Sequence, residues 1–414
     1  MAPDQLYGPP VDPREVAVAA EPWAYILSLA LGLGLLVWGW KRSRLGFVTG
    51  ATICLTAPAF AMIPVATWGH FPTIDKAGSL SFYALGAHWT SWDTTATATR
   101  LIGVSMGHLW VTQLFDLVLA PFAAMNAQAL LNLVLGWYFA SRLAEASGAS
   151  REASLASGLG FGLGLHALRD INWYTIEKCG QGWLALYALC LLRAHQVGGR
   201  WVLGAGLAYG WAFYYNSYWG VLGALLGGVA LVFGSHDARR AVLASALAGL
   251  PLVLVQLPSL ANDTLPPPGA FAERAALDVH TLTHWNRIEI WRGVDLVALA
   301  CAGLALARAP SSFSPPATGR RELGAAVVLV LLPTVLAMGP ATPLWGAFSA
   351  LPGMWRFAKP ETFFHLAVLV LGVLAARGID RLRLDARLVL AVQAALWLAL
   401  ARTHSVYPGF SAPG

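Results

Sequence analysis

Charge is what this sequence has least of. Acidic and basic residues make up 12% of its 414 positions, against 57% hydrophobic ones. Soluble domains run at about 25% charged, so an ordinary soluble fold is excluded. The four cysteines, Cys54, Cys179, Cys190 and Cys301, have neither disulfide nor zinc spacing. They read as small core residues, and a disulfide scaffold is excluded. The apolar runs are continuous rather than alternating, which excludes a membrane β-barrel. No strand precedes the glycine stripe Gly158, Gly160, Gly162 and Gly164, so a phosphate-cradling loop is excluded. That stripe, with Gly220, Gly223 and Gly227, reads instead as close helix packing. A basic leader is also missing. Residues 1–22 carry Asp4, Asp12, Glu15 and Glu21 against Arg14 alone, so the first apolar helix is expected to be retained.

What remains is apolar helix. A membrane-spanning helix needs about 20 mostly apolar residues. Twelve stretches qualify, centred near 31, 56, 131, 160, 187, 208, 227, 249, 300, 331, 369 and 394. The expected fold is an all-α polytopic membrane protein of about 12 transmembrane helices. Its parts are an outer tail over 1–22, a single transmembrane domain over 23–402 and an outer tail over 403–414. Between Trp68 and Leu119 the pattern changes to polar and aromatic, then to an amphipathic run broken by Gly107. Interfacial helices are expected there, in the first large outer loop.

Charge sets the orientation. Alternate loops gather more than half of the 27 Lys and Arg residues on one side, among them Arg44, Arg142, Arg151, Arg200, Arg240, Arg381 and Arg387. By the positive-inside rule that side is cytoplasmic and both termini face outward. The net charge of +6 is therefore topology, and no nucleic-acid partner is implied.

The outer loops hold the chemistry. Asp75 and Asp93 are carboxylates in an aromatic, proline-bounded segment, suited to a general base or to plain surface exposure. The two could also share a divalent cation, and metal-dependent and metal-independent chemistry both stay open. Arg169, Asp170, Glu177 and Lys178 bracket an outer turn, either as ligand contacts or as local ion pairs. Asn216, Tyr218 and Trp219 sit in an aromatic helix end that reads as a membrane belt or a sugar-stacking wall. His280 and His284 have metal-ligand spacing, without the neighbouring Glu of a metalloprotease. Arg287 follows them on the same charged segment. Arg356, Lys359 and Glu361 crowd the loop Leu351–Glu361, where cations suit a phosphate or a lipid headgroup.

Three stretches together resemble the GT-C superfamily of membrane glycosyltransferases, including its bacterial YfhO-like members. They are the outer loop with Asp75 leading to the helix Met125-Asn126-Ala127-Gln128-Ala129-Leu130-Leu131-Asn132-Leu133, the end Tyr214 to Trp219, and Met338-Gly339-Pro340 followed by Leu351-Pro352-Gly353, Arg356 and Lys359-Pro360. The resemblance covers about residues 46–384. It departs at Glu361 and Thr362, where a basic residue is expected, at the additional helix 23–40, and in lacking a soluble C-terminal domain. It implies a polyprenyl-phosphate-linked sugar donor and a glycan, lipid or protein acceptor at the outer face of a bacterial cytoplasmic membrane. Arg356 and Lys359 would hold the phosphate, and Asp75 or Asp93 would act as base. A lipid-linked saccharide transporter and a non-catalytic assembly subunit remain alternatives.

Reporter fusions test the orientation. Alkaline phosphatase joined after Gly414 is expected to be active, and joined after Gly198 inactive, with fluorescent-protein fusions giving the opposite pattern.

Overall fold

The computed structural model describes residues 22–59, 107–118, 121–164, 180–261, 317–351 and 360–404. Among them every regular element is helical. The order is α1 (Pro22–Arg42), α2 (Arg44–Ala59), α3 (Gly107–Asp116), α4 (Pro121–Ala146), α5 (Arg151–Gly162), α6 (Gln181–Gln196), α7 (Arg200–Tyr215), α8 (Ser217–Phe233), α9 (His236–Ala261), α10 (Ala317–Ala337), α11 (Pro343–Ser349), α12 (Phe364–Arg381) and α13 (Ala386–His404). Short 3₁₀ turns occupy Gly339–Ala341 and Pro360–Phe363. Eleven of the twelve expected helix centres coincide with one of these helices or lie within its length. The twelfth, near 300, falls outside the described residues, as does most of the loop expected to hold interfacial helices. The amphipathic run expected over 101–119 appears as α3, which begins at Gly107.

One described helical stretch, Pro360–Arg381, is long and apolar enough on its own to cross a membrane. Others are apolar but shorter, such as Ser217–Phe233 and Ala386–Leu398. Ser217–Phe233 is kept short by its caps, Asn216 before it and Gly234 after it. Ser43 separates α1 from α2, and Asn216 alone separates α7 from α8. Such brief connections force antiparallel neighbours. The contacts agree, pairing α1 with α2, α4 with α5, α6 with α7, and α7 with both α8 and α9.

The turns follow from their residues. Ser43, Ser150, Asn216, Ser235 and Asp385 each accept a hydrogen bond from a backbone N–H in the first turn of the helix that follows. These caps satisfy amides that have no partner within the helix. At the far ends the chain swings into left-handed conformation. Gly148 has φ 98°, and the Ala149 N–H closes back on the Ala144 carbonyl at 3.2 Å. Past α12 the same closure, Leu384 N–H to the Ile379 carbonyl at 3.0 Å, is made around Arg383 at φ 53°. A Cβ is strained there, and glycine is the residue this closure favours.

Glycine decides how closely helices approach. A Cβ on Gly162 would lie 2.4 Å from the Trp137 backbone nitrogen, and one on Gly158 would lie 2.9 Å from the Trp137 carbonyl oxygen. The stripe on α5 is therefore the seat of α4, as the packing reading expected. Trp137 locks the pair by donating its indole N–H to the Leu155 carbonyl at 2.8 Å.

The two ends of the bundle differ in chemistry. One carries the turns between α1 and α2, α4 and α5, α6 and α7, α8 and α9, and α12 and α13, and is rich in arginine. There Arg44 and Glu145 pair at 2.8 Å, tying α2 to α4. Asp380 accepts from both the N–H and the hydroxyl of Ser150, each at 2.6 Å, tying α12 to the start of α5. The opposite end is aromatic and is formed by α3, the starts of α6, α8 and α12, and the end of α7.

Arg383→Gly is expected to raise stability by about 1 kcal/mol by relieving the left-handed side chain. Gly162→Val is expected to lower it by about 2 to 3 kcal/mol by wedging α5 from α4. Thermal unfolding of the purified variants measures both.

Candidate functional site

Tyr215 is the last residue of α7 and is completely enclosed. Two glycines make room for it. A Cβ on Gly107 would sit 2.7 Å from its Cα, and one on Gly180 would sit 2.4 Å from its ring. The tyrosine hydroxyl oxygen accepts from two carboxamides of α4, Gln128 Nε2 at 2.8 Å and Asn132 Nδ2 at 2.7 Å. Gln128 also donates to the His108 carbonyl at 2.8 Å, and its Oε1 accepts the Thr112 hydroxyl. One polar network thus joins α3, α4 and α7. In an enclosed apolar setting such a network holds only when its groups find partners.

Aromatic rings surround this network. Trp183 of α6 lies 5.9 Å from Tyr215 and 5.7 Å from Trp211 of α7, the latter contact edge to face. Trp211 also meets Tyr214 at 6.0 Å. Trp183 and Trp211 are half-buried, with their indole nitrogens enclosed.

A second group lies across α8. Trp219 is fully enclosed and meets His365 edge to face at 5.4 Å. His365 Nδ1 donates to the Thr362 carbonyl at 2.9 Å, the tautomer that an acceptor-only carbonyl requires. Phe363 stacks on Trp345 and Phe348 of α11, at 6.2 Å and 5.0 Å. The described residues on either side of 352–359 are thereby fastened together. Glu361 lies between them on a 3₁₀ turn with 7% of its surface exposed.

Of the residues singled out in the sequence, Asn216, Tyr218, Trp219 and Glu361 are described. Asn216 is the N-cap of α8, its Oδ1 accepting the Tyr218 N–H at 2.8 Å. Tyr218 is half-buried. Trp219 packs inward on His365, whereas Trp183 and Trp211 are half-buried. Asp75, Asp93, Arg169, Asp170, Glu177, Lys178, His284, Arg287, Arg356 and Lys359 lie outside the described residues.

The structure adds Asn132, Gln128, Gln181, Trp183, Trp211, Tyr215 and His365. A signal for two of them was present. Gln128 and Asn132 stand four apart in an otherwise apolar helix, which puts two carboxamides on one face. Among the described residues no cluster of three or more His, Cys, Asp or Glu side chains is placed to hold a metal ion.

Compared with known proteins, the sequence matches no protein-family model and no curated relative.

Tyr215→Phe removes the acceptor shared by two buried carboxamides and is expected to destabilise the protein by about 2 kcal/mol. Adding Gln128→Leu and Asn132→Leu is expected to recover part of that loss, because the orphaned amides go with the acceptor. Thermal unfolding of the single and triple variants measures the difference.

Proposed function

We propose that this chain is a multi-pass membrane glycosyltransferase of the GT-C type. It moves a sugar from a polyprenyl-phosphate donor to a glycan, lipid or protein acceptor. The membrane is the bacterial cytoplasmic membrane, with the aromatic end outward. The observation that carries the reading is convergence at that end. The helix holding Gln128 and Asn132 bonds to Tyr215. The Tyr214–Trp219 stretch meets His365 through Trp219. The segment after Met338-Gly339-Pro340 meets Phe363 through Trp345 and Phe348. These stretches include the described parts of all three on which the resemblance rests, though they are far apart in sequence.

The outer surface supports a lipid setting. Large apolar side chains face outward on several helices, for example Val37 at 73% exposure, Leu207 at 65%, Leu247 at 71% and Leu388 at 62%. Polar groups turn inward instead, as with Thr52, Gln128, Asn132, Ser154, Gln181 and Ser245. Buried hydroxyls of Thr52 and Ser245 bond to carbonyls one turn back, at 2.7 Å each. This is polarity arranged for a solvent that offers no hydrogen bonds. The described Asp, Glu, Lys and Arg residues all lie within two turns of a helix end.

The chemistry asks for few groups. An Asp75 or Asp93 carboxylate takes the proton from an acceptor hydroxyl. The oxygen bonds to the anomeric carbon as the bond from that carbon to the phosphate oxygen breaks. The electron pair stays on the lipid phosphate, where Arg356 and Lys359 meet the charge.

The test is turnover in lipid nanodiscs, supplied with polyprenyl phosphates bearing different sugars, with released polyprenyl phosphate measured by mass spectrometry. Asp75→Asn or Asp93→Asn is expected to slow release by roughly 10²- to 10⁴-fold. Arg356→Ala with Lys359→Ala is expected to cost on the order of 10²- to 10³-fold. Unchanged transfer by that double variant at equal expression would sink the assignment of the phosphate site.

A further inference from the structure

We infer that the aromatic end contains a subsite for a neutral sugar ring, built by Trp183, Trp211 and Tyr215 with the carboxamides of Asn132 and Gln181. It rests on the glycosyltransferase reading and gives the donor's sugar a chemical character. Four enclosed polar atoms here lack a hydrogen-bond partner: Asn132 Oδ1, Gln181 Oε1, Trp183 Nε1 and Trp211 Nε1. They belong to one neighbourhood. Asn132 bonds to the Tyr215 hydroxyl, and both tryptophan rings contact the Tyr215 ring. Gln181 stands two residues before Trp183 and seats against Gly136, one turn along α4 from Asn132. Buried polar groups are ordinarily paired, so a cluster of open valences calls for a missing partner.

The kind of atom identifies the partner. Two of the four are donors and two are acceptors. An anion would use donors alone, and a cation acceptors alone. A hydroxyl both donates and accepts, so a ring bearing several hydroxyls answers the whole set. The faces of Trp183 and Trp211 suit the apolar C–H face of such a ring, as ligand sites pair aromatic walls with a few placed polar groups. Among the described side chains that bond to Tyr215 or stack on it there is no Asp, Glu, Lys or Arg, so none of these offsets a charged sugar. Ordered water is the competing occupant, and the experiment separates the two.

Saturation-transfer NMR is run on the full chain in nanodiscs. The probes are methyl glucoside, galactoside, mannoside and arabinoside, with methyl glucuronide as the charged control. At least one neutral glycoside is expected to show transfer, and the glucuronide none. Trp183→Phe with Trp211→Phe keeps two aromatic rings and removes both N–H donors. It is expected to weaken binding roughly tenfold or more, as loss of two hydrogen bonds implies. Gln181→Met provides a second, independent loss with little change of shape. Thermal unfolding confirms that each variant is folded. Absence of transfer from every neutral glycoside, or transfer that survives in folded samples of both variants, overturns the subsite and leaves water as the occupant. A second arm compares polyprenyl phosphate with and without the glycoside that binds. Sugar binding without turnover of the glycosylated lipid overturns the transferase reading and leaves the subsite standing. Turnover that is unaffected by either variant overturns the subsite alone.

Discussion

Tyr215 can occupy its place only because residues 107 and 180 have no side chain. Its backbone is approached by Gly107 and its ring by Gly180, so α3 and the start of α6 are drawn onto the end of α7. Its hydroxyl then sets the height of α4, because two carboxamides four residues apart bond to one oxygen. A helix held at two points on one face can neither rotate nor slide without breaking a buried hydrogen bond. The tryptophans around Tyr215 take their positions from this node. In lipid the energetic contrast sharpens, since no water is available to replace a lost partner.

The arginine-rich end depends on different forces. Its turns are closed by capping side chains, by left-handed residues after α4 and α12, and by charge pairs such as Arg44 with Glu145. Arg44 is largely enclosed, whereas Glu145 keeps about a third of its side chain exposed. That pair therefore orients α2 on α4 more than it stabilises the bundle. Structural effort at this end fits short turns with one favoured geometry.

Helix positions were legible because a continuous apolar run has one solution when backbone groups must pair within the segment. The exact boundaries at Ser43, Ser150 and Asn216 came from the structure, where each caps the helix that follows. The glycine stripe was legible as packing, and Gly158 and Gly162, four apart on α5, are the two at which α4 approaches closely. The site was harder to read. Trp219 read as part of a membrane belt or of a sugar-stacking wall; its indole, on the inward face of α8, meets His365, and periodicity alone does not tell which aromatic in such a stretch faces in. Asn132 and Gln181 were missed as site residues because a carboxamide in an apolar helix reads as packing until its open valence is seen in three dimensions, even where, as with Gln128 and Asn132, two share a face. Asp75, Asp93, Arg356 and Lys359 stand on sequence chemistry alone.

Glu361 gives the phosphate-clamp reading its sharpest constraint. A polyprenyl-phosphate sugar is a phosphodiester with one negative charge. Transfer leaves a monoester, whose second ionisation near pH 6 adds most of another. Arg356 and Lys359 alone would hold the product more tightly than the donor, because attraction grows with ligand charge. On the proposed phosphate site, the Glu361 carboxylate, two residues beyond Lys359 in sequence, would subtract from that attraction. It opposes the doubly charged product more strongly than the singly charged donor. The acid at a position where the family resemblance leads one to expect a base is then consistent with turnover. On that proposal it would trade some donor affinity for product release, the step that two unopposed cations would make slow.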